Sequence, residues 1–131
     1  MIERLSKRAD APAIAIVGGQ GDGELGNRLA AAAPNGVARS FCGSLALRET
    51  FALVASADAV VCNSSMLLHV AGAFHKPSVL LLGPFYAATR EHVLQWGYPE
   101  TTALGPELAT PSLAEPAEAE AALLRLGLIH G

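Results

Sequence analysis

Aromatic residues make up only 5% of this 131-residue chain, charged residues only 16%, and cysteine appears twice. Each scarcity excludes something. With so few rings the core has to be built from Ala, Val, Leu and Ile. Two cysteines, Cys42 and Cys62, make neither a disulfide framework nor a zinc site, and are expected to be two buried thiols. There is no basic excess: the net charge is −3, so a nucleic-acid partner is not expected. No apolar run approaches the ~18 residues of a membrane span. The charged Met1–Asp10 stretch, followed by the short apolar Ala11–Val17, is not a secretory signal, and a cytoplasmic chain is expected. What is abundant is apolar residue, at 51%, which excludes intrinsic disorder. The length fits one domain with a real core.

Strand and helix patterns alternate along the chain. Ala13–Val17 is a short apolar run that reads as a strand buried on both faces. Glu24–Ala33 reads as a helix, Val37–Cys42 as a second strand and Leu45–Ala57 as an amphipathic helix. Ala59–Cys62 reads as a third strand, Met66–Phe74 as an almost wholly apolar and therefore buried helix, and Ser78–Leu82 as a fourth strand. Arg90–Trp96 and Ala117–Leu126 read as further helices, and the proline-rich Thr101–Pro116 mostly as loop. Four alternations predict an α/β, Rossmann-like fold, a parallel sheet with helices on both faces. Residues 1–131 are expected to form one domain: a linker or N-terminal helix over 1–12, a βα core over 13–100, and a loop and terminal helix over 101–131.

In such a sheet ligands bind beyond the carboxyl ends of the strands. Those ends carry Gly18-Gly19-Gln20-Gly21, Gly43-Ser44, Asn63-Ser64-Ser65 and Gly83-Pro84-Phe85, all small or polar apart from Phe85. Small residues let a ligand approach the backbone. The turn before Met66 opens a helix, so the N–H groups of Ser65, Met66 and Leu67 are aimed at an anion, and a diphosphate is the natural guest. The plainer alternative is that Ser64 merely caps a buried helix. Gly21, Gly23 and Gly26 complete a G-x-G-x-x-G pattern, but four residues past the strand, where a flexible turn is the simpler reading. His69 falls one turn after Ser65 on the same helix face and is expected to orient the turn rather than touch a ligand. His75, His92 and His130 read as surface groups. No Ser-His-Asp order, paired-carboxylate motif or HExxH is present.

From Gly43 to Pro84 the sequence resembles the heptosyltransferase family, glycosyltransferase family 9. Gly43-Ser44-Leu45-Ala46-Leu47-Arg48-Glu49 is similar to the family's Gly-Lys-Thr-Ser-Leu-Arg-Glu. Asp58-Ala59-Val60-Val61 follows an aliphatic helix as the family's Asp-Leu-Val-Val does. Asn63-Ser64-Ser65-Met66-Leu67-Leu68-His69-Val70-Ala71 is similar to Asn-Asp-Thr-Gly-x-x-His-x-Ala, and Lys76-Pro77 and Leu81-Leu82-Gly83-Pro84 to Lys-Pro and Leu-Phe-Gly-Pro. Ser64 stands where the family has Asp, Met66 where it has Gly, and Phe85 where it has Thr. The resemblance implies the donor-binding C-terminal half of a two-domain GT-B enzyme that makes the lipopolysaccharide core. It implies an ADP-sugar donor and inverting transfer, with no cofactor and no required metal. Donor contacts are implied at Gly18, Gly19, Gly43, Asn63, Ser64, Ser65, Met66, Leu67 and Gly83, with His69 in support. An N-terminal acceptor domain is expected to be missing, which leaves the chain without turnover, in the cytoplasm or at the inner face of the cytoplasmic membrane. Two other classes stay open: a non-catalytic binding or assembly module that kept the fold, and another nucleotide-sugar enzyme half such as an epimerase.

Overall fold

The structure, a computed structural model, describes residues 1–84, 88–106 and 114–130. The chain divides into two compact units, one of Met1–Thr50 with Ile129 and His130, the other of Phe51–Leu128.

In the first unit, α1 (Ile2–Ser6) leads into β1 (Ile14–Ile16), then α2 (Gly23–Ala31) and β2 (Ala38–Ser40). The two strands pair in parallel, Ile14 opposite Ala38 and Ile16 opposite Ser40. β1 is not buried on both faces as its composition predicts: Ile14 and Ile16 are half-buried and Ala15 is exposed. Alanine counts as apolar yet tolerates water, so an Ala/Ile run conceals a strand of period two. α2 lies close to β2 through Gly26, where a Cβ would come 2.4 Å from Ser40 Oγ and 2.6 Å from Cys42 Sγ. The third glycine of the G-x-G-x-x-G pattern therefore serves helix–strand packing rather than a flexible turn. Cys42 lies just past β2 and is half-buried, not buried. The chain's far end returns here, with the His130 N–H donating to Asp10 Oδ2 at 2.7 Å.

α3 (Leu47–Ser56) carries the chain into the second unit, which continues as β3 (Val60–Cys62), α4 (Met66–Ala73), β4 (Ser78–Leu81), α5 (Thr89–Trp96), β5 (Thr101–Leu104) and α6 (Pro116–Arg125). The three strands form a parallel ladder in the order β3-β4-β5, with Val60 opposite Ser78 and Ser78 opposite Thr101. Val54, Val60, Cys62, Leu68, Val70, Ala71, Leu80 and Leu82 make its core, flanked by Phe51, Leu67, Tyr98 and Ala103. Leu68, Val79 and Leu80 are fully buried. α4 is not buried all round: Met66, His69 and Ala73, spaced along one stripe, are exposed. β5 corrects the expectation of loop over Thr101–Pro116. Its four residues are all only half-buried at the edge of the ladder, so they carry no strong hydrophobic pattern. α6 opens with Pro116 in its first turn, while Glu118 Oε2 accepts the Glu115 N–H at 2.6 Å.

All described strand pairs are parallel and are joined through helices, which is the α/β, Rossmann-like arrangement.

Candidate functional site

The sequence-derived site residues fall into both units. In the first, the segment after β1 closes on itself. Asp22 Oδ2 accepts the Gly19 N–H at 2.7 Å, and the Asp22 N–H donates to the Gly19 carbonyl at 3.1 Å. A Cβ at Gly18 would meet the Asp22 side chain at 2.8 Å and Cys42 Sγ at 3.1 Å. Gly43 has φ +70°, a conformation that favours glycine, and a Cβ there would stand 2.8 Å from Gln20 Cα. Its N–H donates to the Gly18 carbonyl at 3.0 Å. Gly18 and Gly43 are thus small because the protein's own atoms approach them, and the Gly19 N–H already has an acceptor.

In the second unit, β3 ends at Cys62 and the chain turns through Asn63-Ser64-Ser65 into α4. Asn63 is exposed, Ser64 and Ser65 are half-buried, and the Met66 side chain is 45% exposed at the helix start. The helix N-cap is Ser65, not Ser64, and its hydroxyl makes no capping bond. The Leu68 N–H donates to the Ser65 carbonyl at 3.1 Å. The first-turn amides of Met66 and Leu67 have no acceptor within their own helix, by helix geometry. They sit where the dipole of α4 favours negative charge. Gly83 is half-buried just past β4, and among the described residues nothing lies within 4 Å of a Cβ built there. Phe85 lies outside the described residues.

The histidines are arranged differently from the expectation. His69 is exposed, and its Nδ1 meets the Tyr98 hydroxyl at 2.9 Å, with the Trp96 ring edge-on at 6.3 Å. The hydrogen bond to the turn comes instead from His92, whose Nε2 lies 2.9 Å from Ser64 Oγ. His92 is half-buried rather than a surface group. No local signal marks it, because the two partners are 28 residues apart in sequence. His75, exposed, pairs through Nδ1 with Glu100 Oε1 at 3.0 Å, and this bond holds the Glu100 carboxyl below the ordinary carboxylate range. Burial pushes the Cys62 thiol up to about 11, so it is inert as a nucleophile. Among the described residues no three His, Cys, Asp or Glu side chains gather as a metal site. None of their helices is long and apolar enough to cross a membrane.

What the β3–α4 turn offers chemically is a set of backbone donors at a helix start, flanked by short polar side chains and by the His92 imidazole. Comparison with known proteins gives the following. The chain is 38% identical over 76 residues to lipooligosaccharide heptosyltransferase 2 of Haemophilus influenzae, a match covering 55% of this chain and 22% of that protein. It is 37% identical over 75 residues to lipopolysaccharide heptosyltransferase 2 of Salmonella typhimurium, covering 54% and 21%. The fold of E. coli ADP-heptose lps heptosyltransferase II superposes with a TM-score of 0.71 at 23% identity, over 95% of this chain and 41% of that one. These matches span about a fifth of the two relatives and less than half of the solved structure. The sequence model of glycosyltransferase family 9 (heptosyltransferase) matches residues 3–115, and with most of its length inside that match the chain belongs to glycosyltransferase family 9.

Proposed function

We propose that this chain is the nucleotide-sugar-binding part of a family 9 glycosyltransferase that serves lipopolysaccharide-core or related glycan synthesis. It takes an ADP-heptose-like donor and does not turn over without an N-terminal acceptor domain. Residues 1–131 then act as one donor-side domain, working in the cytoplasm or at the inner face of the cytoplasmic membrane. The observation that carries the reading is that the family match over residues 3–115 includes the β3–α4 turn, whose Met66 and Leu67 amides lack helical acceptors.

The chemistry is direct displacement at the anomeric carbon with inversion. An acceptor hydroxyl oxygen forms the new C–O bond and gives up its proton to a base in the acceptor domain, the bond from that carbon to the diphosphate oxygen breaks, and the diphosphate leaves with the electron pair. Amides at the helix start stabilise the charge that grows on the departing phosphate. A half-site neither orients an acceptor nor excludes water. A second reading, a module that binds but has lost transfer, is favoured by the Met66 side chain exposed at the turn and by Ser64, whose hydroxyl is engaged with His92.

Calorimetric titration with ADP tests the binding claim. Met66→Pro is the informative variant. Proline is tolerated in a first helical turn, the preceding Ser65 already has extended backbone (φ −150°, ψ −179°), and one candidate donor is deleted. Weaker ADP binding with folding intact is expected, whereas Ser65→Ala should cost about 1 kcal/mol or less, since its hydroxyl makes no capping bond. Failure of ADP to bind at millimolar concentration, or unchanged binding in Met66→Pro, overturns the reading. Sugar transfer after addition of an acceptor domain separates the donor half from the module that has lost transfer.

A further inference from the structure

The β3–α4 turn is not secured by its own cap. Ser65 has the extended backbone of an N-cap, yet its hydroxyl makes no capping bond, and a first turn left in that state frays unless something else holds it. A contact that does reach the turn comes from α5, where Ser64 Oγ and His92 Nε2 lie 2.9 Å apart and both residues are half-buried.

α5 and the segment after it are themselves fastened to α4 further along. The Tyr98 hydroxyl meets His69 Nδ1 at 2.9 Å, and the Trp96 ring stands edge-on to the same imidazole at 6.3 Å. The Tyr98 ring lies so close to Gly72 that a Cβ there would come within 2.4 Å of it. His92 and Trp96 are one turn apart on α5, as Ser65 and His69 are at the start of α4. The two segments therefore meet in two rungs. The His69 rung fixes their spacing by packing, and the Ser64 rung is a hydrogen bond that ends on the turn itself.

We infer that His92 is a positioning residue for the β3–α4 turn: by holding Ser64 it sets the direction of the Ser65, Met66 and Leu67 amides and hence their grip on a diphosphate. The ligand in this statement rests on the donor-binding reading above; the holding of the turn does not. The bond forms with either neutral tautomer, because a serine hydroxyl both donates and accepts, so the role requires no proton transfer.

The test uses the full chain with His92→Phe, which keeps a ring and deletes the bond, His92→Gln, which keeps a polar group at similar reach, and Ser64→Ala. Without ligand, the reporter is hydrogen exchange of the Leu68 amide, which donates to the Ser65 carbonyl at 3.1 Å. Amides of β4 serve as the control for global destabilisation. His92→Phe and Ser64→Ala are each expected to speed Leu68 exchange about five-fold, the value of one net hydrogen bond. The double variant should do no more than either alone, and His92→Gln should recover most of the protection. With ADP, His92→Phe should weaken binding by a similar factor and His92→Gln should restore it. Unchanged Leu68 exchange in Ser64→Ala, equal acceleration in β4, or His92→Phe binding ADP as the parent does, overturns the inference. If His92→Phe fails to fold, Ser64→Ala and His92→Gln carry the same comparison. Slower turn opening in the parent than in Ser64→Ala, combined with no ADP binding by any form, upholds the positioning role and removes the donor reading instead.

Discussion

Alanine in place of Gly72 probes how tightly α4 packs on Tyr98. At the penultimate position of α4, where Gly72 lies, this change normally stabilises by up to about 1 kcal/mol, because alanine is the better helix former. Here the sign reverses. A Cβ at position 72 would lie 2.4 to 2.5 Å from three carbons of the Tyr98 ring, where comfortable carbon–carbon contact is about 3.5–4.0 Å. The ring has to withdraw by about 1 Å, and it is tethered at both ends. Its hydroxyl is bonded to His69 Nδ1 at 2.9 Å, and the Tyr98 N–H donates to Thr101 Oγ1 at 3.2 Å. Overpacking costs about 1–3 kcal/mol and loss of the hydroxyl bond about 1 kcal/mol. After the propensity gain, a net loss of about 2 kcal/mol is expected. Urea unfolding followed by fluorescence reads this directly, since Trp96 is the chain's single tryptophan and stands against His69. Gly23→Ala is the control: the residue is helical (φ −56°, ψ −47°), nothing lies within 4 Å of its Cβ, and a neutral or stabilising effect is expected. Adding Tyr98→Leu to Gly72→Ala should recover part of the loss. A Gly72→Ala chain as stable as its parent would refute the packing argument.

Thiol labelling near neutral pH should modify half-buried Cys42 before Cys62, whose burial lifts its thiol to about 11; a mass-spectrometric time course with Cys62 labelled first contradicts this. Glu100, lowered chiefly by its hydrogen bond from His75, should give acid-sensitive stability. Its folded value lies below the ordinary 4.5, so the unfolded chain takes up the proton first. The contribution is then present above 4.5 and lost as pH falls through the folded value. The stability difference between the parent and Glu100→Gln should accordingly shrink as the pH falls through and below 4.5, and a difference that widens on acidification speaks against the pairing.

The parallel architecture was legible because β-branched runs ending in glycine or asparagine alternate with helical patterns, and β1 to β4 fall within the expected segments. β5 was not legible: four half-buried residues between Glu100 and Gly105 offer too little pattern to distinguish edge strand from loop. The sequence marks the turn at 63–65, but three successive cap-forming side chains do not say which one caps, and Ser65 takes the place through its backbone alone. The glycines of the first unit are ambiguous for a related reason. A glycine that admits a ligand and one that admits a neighbouring Asp22 or Gln20 atom look alike in sequence. No sequence signal marks His92, because its partner is distant in the chain and no period links them. Family motifs located the segment; only coordinates show what each side chain touches.

The bond from the His130 N–H to the Asp10 carboxylate has a mechanical consequence. Residues near both ends of the chain belong to one unit, and Phe51–Leu128 is a closed excursion between them. Tension applied between positions 10 and 130 therefore falls first on this clasp and its surroundings, and the three-stranded ladder bears no load until the clasp yields. In a pulling experiment the ladder and its β3–α4 turn would extend second, as a separate and later event.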